Sequence, residues 1–289
     1  MRRDVPNLPC SGRMKAGMRD NLVHCPKCKD GFLVLAAAES GEVRCAACSE
    51  SCPVDEGVID LLAGVSSARS PAQFLMEAEP VVRIYESRLW RRSLPTALAL
   101  GMSFEQEQAL ISRAAKVKRD ATVLDLACGP GIYTRPLAQR ATGGTVVGVD
   151  LSLPMLRYAS ARAREQTLDN IVLIHGDALH LPFPPERFDL VNCCGALHLF
   201  PNVGQVLREA HRVLKPDGRL TVATVRRDAG PVGALMVALG PRLFGVHPFS
   251  VGELQARCER VGLCDVRLHY AKRLWLIMSA KKGRAADRT

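Results

Sequence analysis

Three carboxylates, each closing a short apolar run, constrain this chain more than any other feature in it. Val123, Leu124 and Leu126 surround Asp125, and the run then breaks into Cys128, Gly129, Pro130 and Gly131. An apolar strand therefore ends in a glycine turn that can open a helix. Glycines suit such a turn because they tolerate positive φ and carry no side chain to hold a ligand off the backbone. Residues 145–149 form a second β-branched run, closed by Asp150 about 20 residues beyond the turn, where an acid can take two ribose hydroxyls. Residues 171–174 form a third apolar run, followed by His175, Gly176, Asp177 and Ala178. Strands that alternate with helical segments in this way predict an α/β, Rossmann-like sheet.

The turn taken alone admits a nucleotide, a purely structural strand-to-helix transition, or a cationic cofactor. A dinucleotide fingerprint needs G-x-G-x-x-G, but Gly129, Gly131 and Thr134 occupy those places, so the third glycine is missing. Asp125 would repel a pyrophosphate and suit a ligand that bears an ammonium and a sulfonium. The acid-x-Ala-x-Gly-x-Gly run resembles the first motif of the class I S-adenosylmethionine-dependent methyltransferases, with Ala127 where many members have a glycine. The segments DLSLPMLRYA, after the second strand, and LKPDGRL, whose residues 215–218 are expected to turn the chain into the fifth, are also similar to that family. Residues 121–282 as a whole resemble the type-11 methyltransferase domain, the group around the ubiquinone and menaquinone C-methyltransferases.

The resemblance implies a seven-stranded sheet and S-adenosylmethionine as cofactor. It implies cofactor-binding positions at Asp125, Ala127, Gly129 and Gly131, at Asp150, Leu151 and Met155, at Asp177 and Ala178, and at Cys194 on the end of the fourth strand. His198, just beyond that end, is the candidate general base, because an imidazole near its ordinary pKa of about 6.5 can take a proton as the methyl arrives. The alternative is that it hydrogen-bonds the backbone to hold its loop. His247 is a second candidate.

Ahead of this domain stand Cys25-x2-Cys28 and, sixteen residues later, Cys45-x2-Cys48. Two such knuckles place four thiolates in a tetrahedron, which is the arrangement structural zinc prefers. The alternative, four buried free thiols, leaves the paired spacing unexplained. Residues 32–35 and 42–44 are expected to pair as the hairpin of a zinc ribbon, with Cys52 packing rather than ligating. A closed four-thiolate site has no position open for water, so the zinc is expected to be structural. The ribbon followed by a methyltransferase domain is also similar to uncharacterised bacterial and chloroplast methyltransferase-like proteins, and more distantly to the zinc-containing 23S rRNA guanine-N1 methyltransferases. Those rRNA enzymes usually pair a cysteine with a histidine in the second knuckle and differ at the CCGALHLFPN segment.

The expected organisation is a disordered stretch over 1–21, a zinc ribbon over 22–63, a linker and helical lid over 64–118, the methyltransferase domain over 119–282 and a basic tail over 283–289. Tyr85 and Trp90 are candidates to line the acceptor pocket, and the apolar insert at 231–249 is a candidate cap. No run of eighteen apolar residues occurs and the start has no secretory h-region, so a cytoplasmic protein without a membrane span is expected. The eleven cysteines then read as thiols and metal ligands. The net charge of +10 hints at nucleic acid, although no basic cluster is interleaved with aromatics as a stacking platform would be. A small, largely apolar methyl acceptor (a quinone, polyketide or isoprenoid-like compound) is the leading expectation. The alternatives are an rRNA or tRNA base docked through the ribbon, and a non-catalytic adaptor that binds S-adenosylmethionine. Oligomeric state cannot be read from the sequence.

Overall fold

The computed structural model describes residues 21–35, 41–64, 82, 91–230, 238–240 and 245–283. The expected disorder over 1–20, Tyr85 and Trp90, most of the linker and apolar insert, and all but the first residue of the tail lie outside the described residues. A single ten-stranded sheet organises the chain. Its strands are β1 (Glu42–Arg44), β2 (Ser51–Asp55), β3 (Val58–Asp60), β4 (Thr122–Leu126), β5 (Thr145–Asp150), β6 (Ile171–His175), β7 (Phe188–Cys194), β8 (Leu214–Val225), β9 (Leu263–Lys272) and β10 (Trp275–Lys282). The spatial order is β1-β2-β3-β6-β5-β4-β7-β8-β10-β9.

From β6 to β8 every neighbour is parallel, and β10 enters antiparallel between β8 and β9. The seven strands β6-β5-β4-β7-β8-β10-β9 give the Rossmann-like sheet expected from the sequence. Val123, Leu124, Asp125 and Leu126 are all buried, as are Val146, Val147 and Val149. That continuous burial is what a parallel sheet covered on both faces requires. The chain order reverses between β4 and β7, and ligands of such sheets bind beyond the carboxyl ends of strands at that kind of switch point.

The helices that lie wholly among the described residues are α1 (Leu94–Leu100), α2 (Phe104–Ala115), α3 (Thr134–Arg140), α4 (Leu153–Glu165), α5 (Val203–Val213) and α6 (Val251–Arg260). Ser103 caps α2 in a reciprocal pair with Gln106, which satisfies two otherwise orphaned amides. Ser152 caps α4 by accepting from the Met155 amide. That cap stands two residues after Asp150 and so holds the β5–α4 corner tight.

Two local features differ from the sequence reading. Residues 215–218 were expected as a turn ahead of the fifth strand; they lie inside β8 as a bulge, between the pairs Phe188↔Leu214 and Leu190↔Arg219, with Asp217 at φ 61. Extra residues on one strand bend it locally without ending the ladder. The ribbon hairpin also differs. Leu33 bridges Cys45 and the Val34 amide donates to the Arg44 carbonyl, but the main partner of β1 is β2.

The ribbon does not stand apart. β2 turns back into β3 through Glu56 and Gly57, at φ 49 and 84, two left-handed residues in the pattern of a tight hairpin turn. β3 then pairs parallel with β6, in the register Val58↔Leu173, Ile59↔Ile174 and Asp60↔His175. The ribbon's last strand therefore closes what would be the open edge of the seven-stranded sheet. None of the helices among the described residues is long and apolar enough to cross a membrane.

Candidate functional site

The glycine turn leaves β4 at its carboxyl end and is held by its own backbone. The Cys128 amide donates to the Val149 carbonyl and the Gly131 amide to the Cys128 carbonyl. Ala127, Gly129 and Gly131 have φ of 53, 52 and 76. A Cβ on Gly131 would lie 3.1 Å from the Ala159 Cβ, and one on Gly129 would lie 3.3 Å from the Met155 Sδ. The turn thus packs directly on α4, with Met155 beneath it.

Asp150 closes β5 and binds the turn. Its Oδ2 accepts from the Gly129 amide at 2.7 Å and its Oδ1 from the Ser152 amide at 2.8 Å. Leu151 follows, and its carbonyl accepts from His175 Nε2 at 3.1 Å. Asp177, at the end of β6, accepts from the Leu179 amide at 2.9 Å and faces His180 Nδ1 at 3.2 Å. Ala178 beside it is buried.

Asp125 is placed differently from the other two acids. It is 1% exposed and accepts from Thr134 Oγ1 at 2.6 Å and Asn192 Nδ2 at 2.7 Å. Asn192 in turn accepts from Thr221 Oγ1 at 2.6 Å and from the Cys194 thiol at 3.1 Å. This buried polar chain runs across β4, β7 and β8 directly below the switch point. Burial pushes the Asp125 carboxyl up to about 6, against the two hydrogen bonds that favour its charge. Burial likewise pushes the Cys194 thiol well above its ordinary range.

His198 lies in a single 3-10 turn, Leu197–Leu199, just past β7. Its Nδ1 lies 3.2 Å from Thr224 Oγ1, its ring meets Trp275 edge-on at 6.3 Å, and its carbonyl accepts from the His247 amide at 2.7 Å. Burial, and secondarily the nearby Arg91 cation, lower its pKa to about 4.

Arg91 belongs to a group that the sequence reading passed over. Its Nη2 donates to Glu107 Oε1 at 2.7 Å and Oε2 at 2.6 Å, and to Tyr133 Oη at 2.9 Å. The guanidinium lies 5.3 Å from the Trp275 ring centre. Burial raises the Glu107 carboxyl, and Arg91 opposes that shift. The buried ion pair, the Tyr133 hydroxyl and the Trp275 ring tie α2 and the segment before α1 to the start of α3 and to β10. A charge pair sixteen residues apart gives no pattern in the sequence.

The four knuckle cysteines converge as expected. Their Sγ atoms all lie within 4.8 Å of one another, with Cys25 and Cys48 3.6 Å apart and Cys28 and Cys45 3.7 Å apart. Thiolates around zinc at about 2.3 Å form a tetrahedron with edges of roughly 3.8 Å, so the set fits one zinc ion. A Cβ on Gly31 would fall 2.5 Å from the Cys45 Sγ, and the Gly31 and Ala47 amides each approach a knuckle sulfur at 3.4 Å. Cys52 is buried outside the cluster. Beside the ribbon lies a cavity of about 470 Å³, walled by His24, Lys29, Leu61, Asp177, Phe183 and Arg212 among others.

Residues 124–222 match the family profile described as a methyltransferase domain. The chain is 40% identical over 119 residues to a demethylmenaquinone methyltransferase of Lactobacillus johnsonii, a match that covers 40% of this chain and 49% of that protein. It is 34% identical over 167 residues to nocamycin O-methyltransferase of Saccharothrix syringae, covering 50% and 60%. The chain thus spans about half the length of the relatives it matches. Among solved structures it superposes on phosphoethanolamine N-methyltransferase 2 of Haemonchus contortus, crystallised with S-adenosylhomocysteine, with a TM-score of 0.60 at 17% identity over 75% of this chain and 61% of that one. At that identity the likeness establishes the fold.

Proposed function

We propose that the protein transfers a methyl group from S-adenosylmethionine to a small, largely apolar acceptor. The observation that carries this reading is the Asp150 carboxylate, fixed at the end of β5 beside the glycine turn by the Gly129 and Ser152 amides. A strand-end acid at that place can take two vicinal ribose hydroxyls. Gly129 and Gly131 keep side chains away from the turn beside it, Leu151 and Met155 flank the ribose and adenine, and Asp177 with Ala178 takes the adenine edge. Asp125 is assigned a positioning role, since it is buried and accepts from Thr134 and Asn192 below the turn. The names of the demethylmenaquinone and nocamycin methyltransferases favour an apolar acceptor.

The cofactor's sulfonium already activates the methyl group, so the protein's task is to hold acceptor, carbon and sulfur in line, worth up to roughly 7–11 kcal/mol in favourable cases. The Cys194 end of β7, the His198 turn and the Arg91 group border the switch point and are assigned to acceptor placement. A ring whose pKa lies near 4 holds a proton weakly, so His198 serves better as a wall of the pocket than as a base. His247, the second candidate base, reaches His198 through its backbone amide.

Calorimetry should show binding of S-adenosylmethionine and not of NAD. Asp150→Ala should lose affinity on the order of 1–3 kcal/mol, because the hydroxyls lose their acceptor. A radiolabelled methyl-transfer screen against small-molecule extract, total RNA and protein should label the first. Label in RNA would assign the ribbon to RNA docking, and binding without transfer to any of the three would leave an adaptor.

A further inference from the structure

The ribbon touches the domain where the cofactor loop is made, and these contacts form a connected set. Asp60 ends β3, His175 ends β6 and Asp150 ends β5, and the three stand in one row of the sheet, as Asp60↔His175 and Asp150↔His175. Asp60 Oδ1 lies 2.7 Å from His175 Nδ1. A carboxylate and a carbonyl only accept, so the two bonds together use a hydrogen on each ring nitrogen, Nδ1 toward Asp60 and Nε2 toward the Leu151 carbonyl. His175 is 8% exposed, and its ring is thereby held between a ribbon carboxylate and the residue that follows the ribose acid. Backbone bonds brace the same row, from the Leu61 amide to the His175 carbonyl and from the Gly176 amide to the Asp150 carbonyl.

A second set of contacts reaches α4. Arg157 donates to Asp55, with Nε at 2.7 Å, and Ser160 Oγ donates to the Glu56 carbonyl at 2.7 Å. The tip of the β2–β3 hairpin therefore sits on the helix that begins with Ser152 and Met155.

We propose that Asp60 of the ribbon is a positioning residue for the cofactor, acting through His175 to hold the Leu151 carbonyl and with it the Asp150–Ser152 loop. The proposal rests on the methyltransferase reading above. It gives the ribbon a task beyond its own fold: it sets cofactor affinity from the far side of β6. Asp60 never touches the ligand. Its effect passes through one ring and one carbonyl, as second-layer carboxylates orient a histidine ligand in metal sites.

The test uses the full chain with its zinc. Asp60→Ala should weaken binding of S-adenosylhomocysteine by about tenfold, within the usual range of coupling between sites, and speed hydrogen exchange of the amides of residues 150–156 in the cofactor-free protein. Asp60→Asn, which keeps a polar group against Nδ1, should retain most of both. His175→Ala should match Asp60→Ala, and the double variant should be no worse than either single one. Once an acceptor is known, the KM for S-adenosylmethionine should rise with kcat at saturation unchanged. Unchanged affinity and exchange in Asp60→Ala, or additive losses in the double variant, would overturn the proposal. Wild type that binds neither cofactor form would instead refute the methyltransferase reading, and the exchange of residues 150–156 would still decide whether the tether exists.

Discussion

Ala127 holds a backbone conformation that alanine adopts at a cost. Its φ of 53 is left-handed, where a side chain loses about 1–2 kcal/mol, and it stands at the position where many members of the family it resembles have glycine. Ala127→Gly relieves that strain but frees the unfolded chain by roughly 0.5–1 kcal/mol, so it should leave stability within about 1 kcal/mol of wild type. Gly131→Ala adds the same strain at φ 76 and a contact with Ala159 at 3.1 Å. It should cost about 2 kcal/mol in denaturant unfolding. His198 and Asp125 carry opposite pH signatures. The folded chain refuses a proton at His198 until about pH 4, while the unfolded chain accepts it near 6.5. The contribution of His198 is therefore full above 6.5 and falls as pH drops toward 4. Asp125 is raised to about 6, so its cost accrues as pH rises from 3.8 toward 6 and is relieved on acidification. The two changes offset one another. His198→Asn removes only the first, and relative to wild type it should gain about 2 kcal/mol on going from pH 7.5 to 5, measured by urea unfolding at both.

At the scale of elements, the β2–β3 hairpin shows what could and could not be read from the chain. Each strand-end acid was legible because it closes its own apolar run, and the four thiols because their spacing is local. Asp60 and His175 were not, because nothing in sequence links residues 115 positions apart. The Glu56-Gly57 turn was legible in principle as a glycine between β-branched runs, yet the segment reads equally as one extended strand. The β8 bulge was read as a turn because proline and glycine mark both, and only the pairing partner separates them. Gly57 is the element's tightest point: at φ 84, a Cβ there would lie 2.6 Å from Arg164 Nη2 and 3.0 Å from Ser160 Oγ. Gly57→Ala should therefore cost about 1–2 kcal/mol, measured by thermal unfolding with zinc present.

At the scale of the molecule, the ribbon expected as a separate small domain is continuous with the sheet it adjoins. Zinc binding supplies much of the folding energy of such a ribbon, so Cys45→Ser should lose one bound zinc by metal analysis and release β1 to β3 while β4 to β10 keep their pairing. That release leaves β6 bare along the side that β3 covers. A naked strand edge is a row of unpaired amides and carbonyls that recruits any other strand, including one from a second copy. Colloidal behaviour thus becomes a reporter of metal content: chelation should produce light scattering that rises with protein concentration, and zinc added early should clear it. A chelated solution that stays transparent at high concentration would mean that β6 is shielded by something other than the ribbon.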